Sequence, residues 1–179
     1  MESHKEDLAR ILVPTYLDGI DDLPLDEIRA KRSECQQIEV ALSYLRRLIQ
    51  GRLDIVFAYV AQAENGETLE LANVVDDLPG ILTAGTGSRG AGRLPLLLAP
   101  DTEDYHLTSE LDAILGADEI VSLPGRDLAE LQDLATRLSV LEKQVSAERR
   151  GLHERIDTLQ AELVDRYKSG RASVDGLLA

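Results

Sequence analysis

The 179 residues suffice for one domain of ordinary size. They are 44% apolar but include one Phe, five Tyr and no Trp, so the expected packing is helix on helix through Leu, Ile, Val and Ala rather than a large aromatic core. A net charge of −14 argues against general binding to DNA or RNA backbone, which needs clustered Lys and Arg, and suits a soluble chain that meets a basic partner. One Cys (Cys35) and three His (His4, His106, His153) offer no disulfide pair and no metal-ligand cluster. The start, Met-Glu-Ser-His-Lys-Glu-Asp, lacks the apolar centre of a signal peptide, and no apolar run approaches the ~20 residues of a membrane span. A cytoplasmic chain with no membrane contact is expected.

In chain order, residues 1–22 hold a short amphipathic piece with Leu8, Ile11, Leu12 and Leu17, interrupted at Pro14. Leu23-Pro24-Leu25-Asp26-Glu27 then reads as a helix start, a first-turn proline followed by acids that suit the positive end of the dipole. A helix is expected over 23–63. Its apolar residues Ile28, Cys35, Ile38, Leu42, Leu45, Ile49, Leu53 and Val56 recur in steps of three and four that skip one turn at Lys31, a heptad seam. Glu64-Asn65-Gly66 ends it.

Residues 64–121 form a long, partly helical connector. A short helix is expected over 68–77 and another over 107–121, with a glycine-rich loop over 85–92 and an apolar run, 94–98, between Pro95 and Pro100. Loops of this length rarely lack structure, so part of the connector is expected to dock. Gly85-Thr-Gly87-Ser-Arg-Gly90 matches G-x-G-x-x-G, but no strand precedes it and Pro95 interrupts the segment that follows, so it reads as a loop and not a dinucleotide fingerprint. A second long helix is expected over 122–169, capped by Ser122 with Pro124 in its first turn. Its seam is Leu131, Leu134, Leu138, Leu141, Val145, Leu152, Ile156, Leu159 and Leu163, its stop is Gly170, and 170–179 is a tail. The fold class is mainly α: a long antiparallel two-helix coiled-coil hairpin with a long connector, in a single domain.

The two helices carry one motif each. Glu39, Ser43, Arg46, Gln50 and Asp54 are spaced as Glu142, Ser146, Arg149, His153 and Asp157. Steps of four, three, four and four return to one side of a helix, within a stripe roughly 80° wide and about 22 Å long. Apolar residues precede these five in the first copy and all but Arg149 in the second, so each helix has an apolar seam with the same polar ridge beside it. In an antiparallel pair, positions whose numbers sum to about 194 face each other. Ile38 then meets Ile156, Leu42 meets Leu152, Ile49 meets Val145 and Leu53 meets Leu141. The same register sets Glu39 near Asp157, Ser43 near His153, Gln50 near Ser146 and Asp54 near Glu142, with Arg46 and Arg149 at the centre.

Two facing guanidiniums repel and cannot shed their charge. Arg47, Arg52, Arg150 and Arg155 add positive charge, also repeated, so in a chain of net −14 the spot calls for an anion. An Arg fork suits guanine O6 and N7 or a phosphate. A carboxylate accepts from guanine N1–H and N2–H₂, and Ser and Gln complete such contacts. A ligand with two guanines and two phosphates would match a site with approximate two-fold symmetry.

The pattern E-x3-S-x2-R-x3-Q-x3-D, present twice on an antiparallel hairpin, resembles that of the RsiG family of actinobacterial anti-sigma factors. The first copy matches at all five positions. The second matches at four, with His153 standing where the family has Gln; His donates or accepts like Gln but is shorter and can carry charge. The resemblance implies that the ten motif residues bind cyclic di-GMP, as a pair of interleaved molecules per chain, and that the loaded protein sequesters a WhiG-like sigma factor of sporulating bacteria, one chain per sigma factor. The sigma-contacting faces are not carried by the motif; the outer helix faces and part of the connector are the expected ones. A coiled-coil adaptor that binds no nucleotide, or a cyclic di-GMP sensor with another target, would use the same ridge differently. No nucleophile–base–orienter set stands out, and Cys35 lies on the seam as a small core residue. An enzyme is not expected.

Overall fold

The computed structural model describes residues 2–66 and 108–171. The short helix expected over 68–77, the glycine-rich loop at 85–92, the apolar run at 94–98 and most of the tail lie outside the described residues. Among the described residues four α-helices follow in chain order: α1 (Glu2–Leu12), α2 (Leu25–Glu64), α3 (Ser109–Ile114) and α4 (Leu128–Lys168). Short 3₁₀ segments precede the long helices, Pro14–Leu17 and Ile20–Asp22 before α2, and the nine-residue Ala117–Gly125 before α4. Among the described residues there is no strand, and no helix is long and apolar enough to cross a membrane. The fold is mainly α, and its two long helices pair antiparallel as a helical hairpin.

The chain divides into two compact units. One comprises Met1–Ser43 with Val145–Ala179, the other Tyr44–Gln144. In the first, the N-terminal half of α2 packs antiparallel on the C-terminal half of α4, with α1 and its 3₁₀ turns alongside. In the second, the C-terminal half of α2 packs on the N-terminal half of α4, with α3 and the Ala117–Gly125 turn. Among the described residues each unit therefore has the same parts. The spacing that separates the two motif copies also separates Leu12 from Leu115, Leu25 from Leu128 and Arg52 from Arg155, so the duplication takes in the short helix as well as the long one.

The expected seams form the cores. Ile28, Cys35, Ile38, Leu42, Leu45, Ile49 and Val56 on α2 are buried, as are Leu131, Leu134, Leu138, Leu141, Val145, Leu152, Leu159 and Leu163 on α4; Leu53 and Ile156 are half-buried. The turn that the α2 seam skips at Lys31 is covered by Tyr16, whose buried ring lies 4.1 Å from the Lys31 Nζ, a cation–π contact that lets a charged residue face the core. Burial pushes the Cys35 thiol up, as suits an inert core residue. Cross-helix hydrogen bonds follow the antiparallel register. Arg29 reaches Tyr167 and Arg32 reaches Gln160 in the first unit, and Gln132 reaches Glu64 in the second. In each bond the two numbers sum to within about two of 194.

Helix ends follow local chemistry, with one departure. Pro24 precedes α2, and its carbonyl accepts from the backbone N–H groups of Glu27 and Ile28. Gly66 and Gly170, at φ +70 and +73, terminate α2 and α4, the left-handed conformation that favours glycine there. The α4 start, expected at Ser122, lies at Leu128. Ser122 instead donates to the Glu119 carbonyl at 2.6 Å within the 3₁₀ turn. The cap is Asp127, whose Oδ1 accepts from the Glu130 N–H at 2.8 Å while the Asp127 N–H donates to Glu130 Oε2 at 3.0 Å. That reciprocal pair satisfies two helix-end donors at once, which a lone serine does not.

Candidate functional site

Each unit brings motif residues from both copies together. In the first unit Glu39 Oε1 accepts from Ser43 Oγ at 2.7 Å and from Arg149 Nη2 at 2.8 Å, and His153 Nε2 lies 3.3 Å from the same oxygen. In the second unit Glu142 Oε1 accepts from Arg46 Nε at 2.9 Å and from Gln50 Nε2 at 3.4 Å. The two clusters correspond position by position: a glutamate from one copy, and the arginine and Gln or His from the other. His153 reaches Glu39 as Gln50 reaches Glu142, so the substitution keeps the contact. The register set Glu39 near Asp157 and Asp54 near Glu142. The side chains instead make unlike-charge pairs, because a half-buried carboxylate is stabilised by a guanidinium and destabilised by a second carboxylate.

The electrostatics of Glu39 show the balance. Burial pushes its pKa up, but the Ser43 hydrogen bond and the hydrogen bond and charge of Arg149 outweigh that and hold the carboxyl below its ordinary range. It is therefore a fixed acceptor at neutral pH. Asp54 and Asp157 stay outside these clusters. Among the described residues neither has a hydrogen-bonding or ionic partner; Asp157 is exposed, and half-burial pushes the Asp54 carboxyl up. Ser146 lies on α4 in the same unit as Arg149.

Two of the repeated arginines expected to enrich the basic spot serve the fold instead. Arg155 donates to the carbonyls of Ile11 at 2.5 Å and Leu12 at 2.6 Å, at the C-terminal end of α1. Arg52 donates to the carbonyl of Leu115, just past the end of α3, and pairs with Asp112 at 2.7 Å. Both clamp a helix end where carbonyls lack partners and the dipole is negative. The sequence signal was present, since both arginines follow the Gln or His position by two residues, but the carbonyls they hold are distant in the chain. Arg47 and Arg150 are exposed. Arg166, which the sequence reading did not single out, is buried against the carbonyls of Ile20 at 2.8 Å and Asp21 at 3.0 Å.

The chain is mainly α and presents one polar ridge in duplicate, with a cluster of carboxylate, guanidinium and amide or imidazole in each unit. The RsiG-like family pattern matches residues 14–82 and 118–179, most of the chain and both motif copies, and the chain belongs to that family. This places it among anti-sigma factors, regulatory rather than catalytic, with a sigma factor as partner. A search among curated proteins finds no match to the chain.

Proposed function

We propose that the chain senses cyclic di-GMP through the duplicated ridge and, when loaded, holds a sporulation-type, WhiG-like sigma factor away from RNA polymerase. The observation that carries this reading is the repeated cluster: a glutamate from one copy beside an arginine from the other, in both units. Such a cluster fits a guanine with its phosphate. The carboxylate accepts from N1–H and N2–H₂, and the guanidinium serves O6, N7 or a phosphate oxygen. Glu39, Ser43, Arg149, His153 and Asp157 would serve one nucleotide half-site; Arg46, Gln50, Asp54 and Glu142 would serve the other, with Ser146 completing the motif. Two molecules per chain match two half-sites. In the free chain each guanidinium is already paired with a glutamate, so the ligand competes with or extends existing ion pairs, and its affinity reflects that exchange.

Calorimetric titration of the full chain with cyclic di-GMP, beside Arg46→Ala/Arg149→Ala, tests the reading. Wild-type binding at micromolar affinity or tighter, two nucleotides per chain, and loss of heat in the double variant are expected. Nucleotide at about a hundred times its Kd then stabilises the fold by about 2.7 kcal/mol for each site filled. Absence of both heat and thermal shift in the wild type sinks the sensor and leaves a helical adaptor.

A further inference from the structure

The duplication supplies an internal control for what the hairpin itself requires, and one face breaks it. In the second unit a shallow groove of about 510 Å³ lies between α2 and α4, with Phe57, Val60, Ala135 and Val140 as its apolar lining and Gln132 and Lys143 among its polar lining. Phe57 is 48% and Val140 61% exposed. The corresponding positions of Phe57 and Ala135 in the first unit are Gln160 and Arg32, and there the two side chains hydrogen-bond to each other across the helices. The corresponding position of Val140 is Gln37, exposed and polar, while in the reverse sense the corresponding position of Lys143 is the exposed Val40. The bond one turn away is polar in both units, Arg29 to Tyr167 in one and Gln132 to Glu64 in the other. The hairpin thus closes well with a polar pair on this face, and packing does not account for an exposed Phe and Val in its place.

We infer that this groove is where the sigma factor docks, taking an apolar helix face of the partner with basic residues at its flanks. The inference rests on the anti-sigma reading above. An amphipathic helix laid into a groove between two helices anchors through a few apolar side chains, and an exposed aromatic is the residue type that dominates such anchoring. Charge selects the partner. The chain carries a net −14 and a sigma factor, as a DNA-directed protein, offers basic surface; within the groove, Glu64 is bonded to Gln132 at one end while Lys143 lines the other, so a basic flank of the partner fits the Glu64 end. The groove residues are separate from the motif residues, so partner docking and nucleotide binding are separable by mutation.

The test uses the full chain and a WhiG-like sigma factor, with cyclic di-GMP present, measuring sigma affinity, nucleotide affinity and oligomeric state. Phe57→Asp/Val140→Asp is compared with Gln160→Asp/Gln37→Asp, the matched pair on the other unit; all four positions are exposed, so both variants keep the fold. The groove variant is expected to lose sigma binding by at least about tenfold while nucleotide binding is unchanged and the control variant binds as wild type. Equal sigma binding by wild type and groove variant overturns the inference. So does a wild-type self-association that the groove variant abolishes, since a second copy of the chain would then be the occupant. A wild type that binds nucleotide but no sigma factor defeats the anti-sigma reading itself, and the docking site with it.

Discussion

Asp54 separates what the fold needs from what a ligand needs. Glu39 has its charge met by Arg149 and Ser43, whereas half-burial alone acts on Asp54 and pushes its pKa up. A carboxyl whose folded pKa exceeds its unfolded one favours folding at low pH and opposes it as pH rises through the unfolded value, near 3.8. At neutral pH its charge is therefore a burden on the free chain. Asp54→Asn is expected to stabilise that chain at pH 7 by about 0.5 kcal/mol, a small figure because solvent still screens the site. The gain should fade below about pH 4. The same variant should weaken cyclic di-GMP, for which an unpaired carboxylate is a ready acceptor. Urea midpoints at both pH values and one titration check it; a variant that is less stable at pH 7 would mean Asp54 has a structural role. The motif spacing made the polar ridge legible, but not which carboxylates would be paired, since that depends on side chains of the opposite helix.

At the scale of elements, two glycines inside long helices make opposite demands. Gly51 lies in α2 with open space where a Cβ would go, while a Cβ on Gly151 in α4 would stand 2.8 Å from Leu12 Cδ2. Gly in a helix interior costs roughly 0.5–1 kcal/mol relative to Ala. Gly51→Ala should therefore raise stability by about that amount. Gly151→Ala gains the same propensity but must turn aside the Leu12 Cδ2 methyl at the end of α1 that Arg155 clamps. Its gain in thermal melts should be the smaller of the two, with faster amide exchange in α1. If both glycines yield the same gain, α1 is not tightly seated on α4. The seams, the α2 limits and the glycine stops were readable because apolar periodicity and chain-terminating residues are local. The α4 start was misread because Ser122 and Pro124 offer a local cap, yet the Asp127–Glu130 reciprocal pair satisfies more backbone groups. That choice becomes visible only when both candidate caps are compared for hydrogen bonds.

For the whole molecule, the repeated motif was legible, but its extension to a short helix clamped by Arg52 or Arg155 was not. Leu12 and Leu115 stand in sequences too different for the eye, and the clamp is made to backbone carbonyls, which leave no residue-type signature. Nor was the asymmetry of Phe57 and Val140 against Gln160 and Gln37 visible until the two units could be compared part by part. It bears on the kinetics of partner capture. A surface of net −14 steers a basic sigma factor over distances comparable to the Debye length, whereas an apolar groove acts only at contact. Raising salt from about 0.1 M to about 1 M shortens that length from about 10 Å to about 3 Å. Association of the nucleotide-loaded chain with the sigma factor should then slow by about tenfold or more, with dissociation little changed. Phe57→Asp/Val140→Asp should do the reverse, speeding dissociation and leaving the salt dependence of association in place. Stopped-flow or surface-binding kinetics at the two salt concentrations separate these effects. An association rate indifferent to salt would show that the acidic surface plays no part in finding the partner.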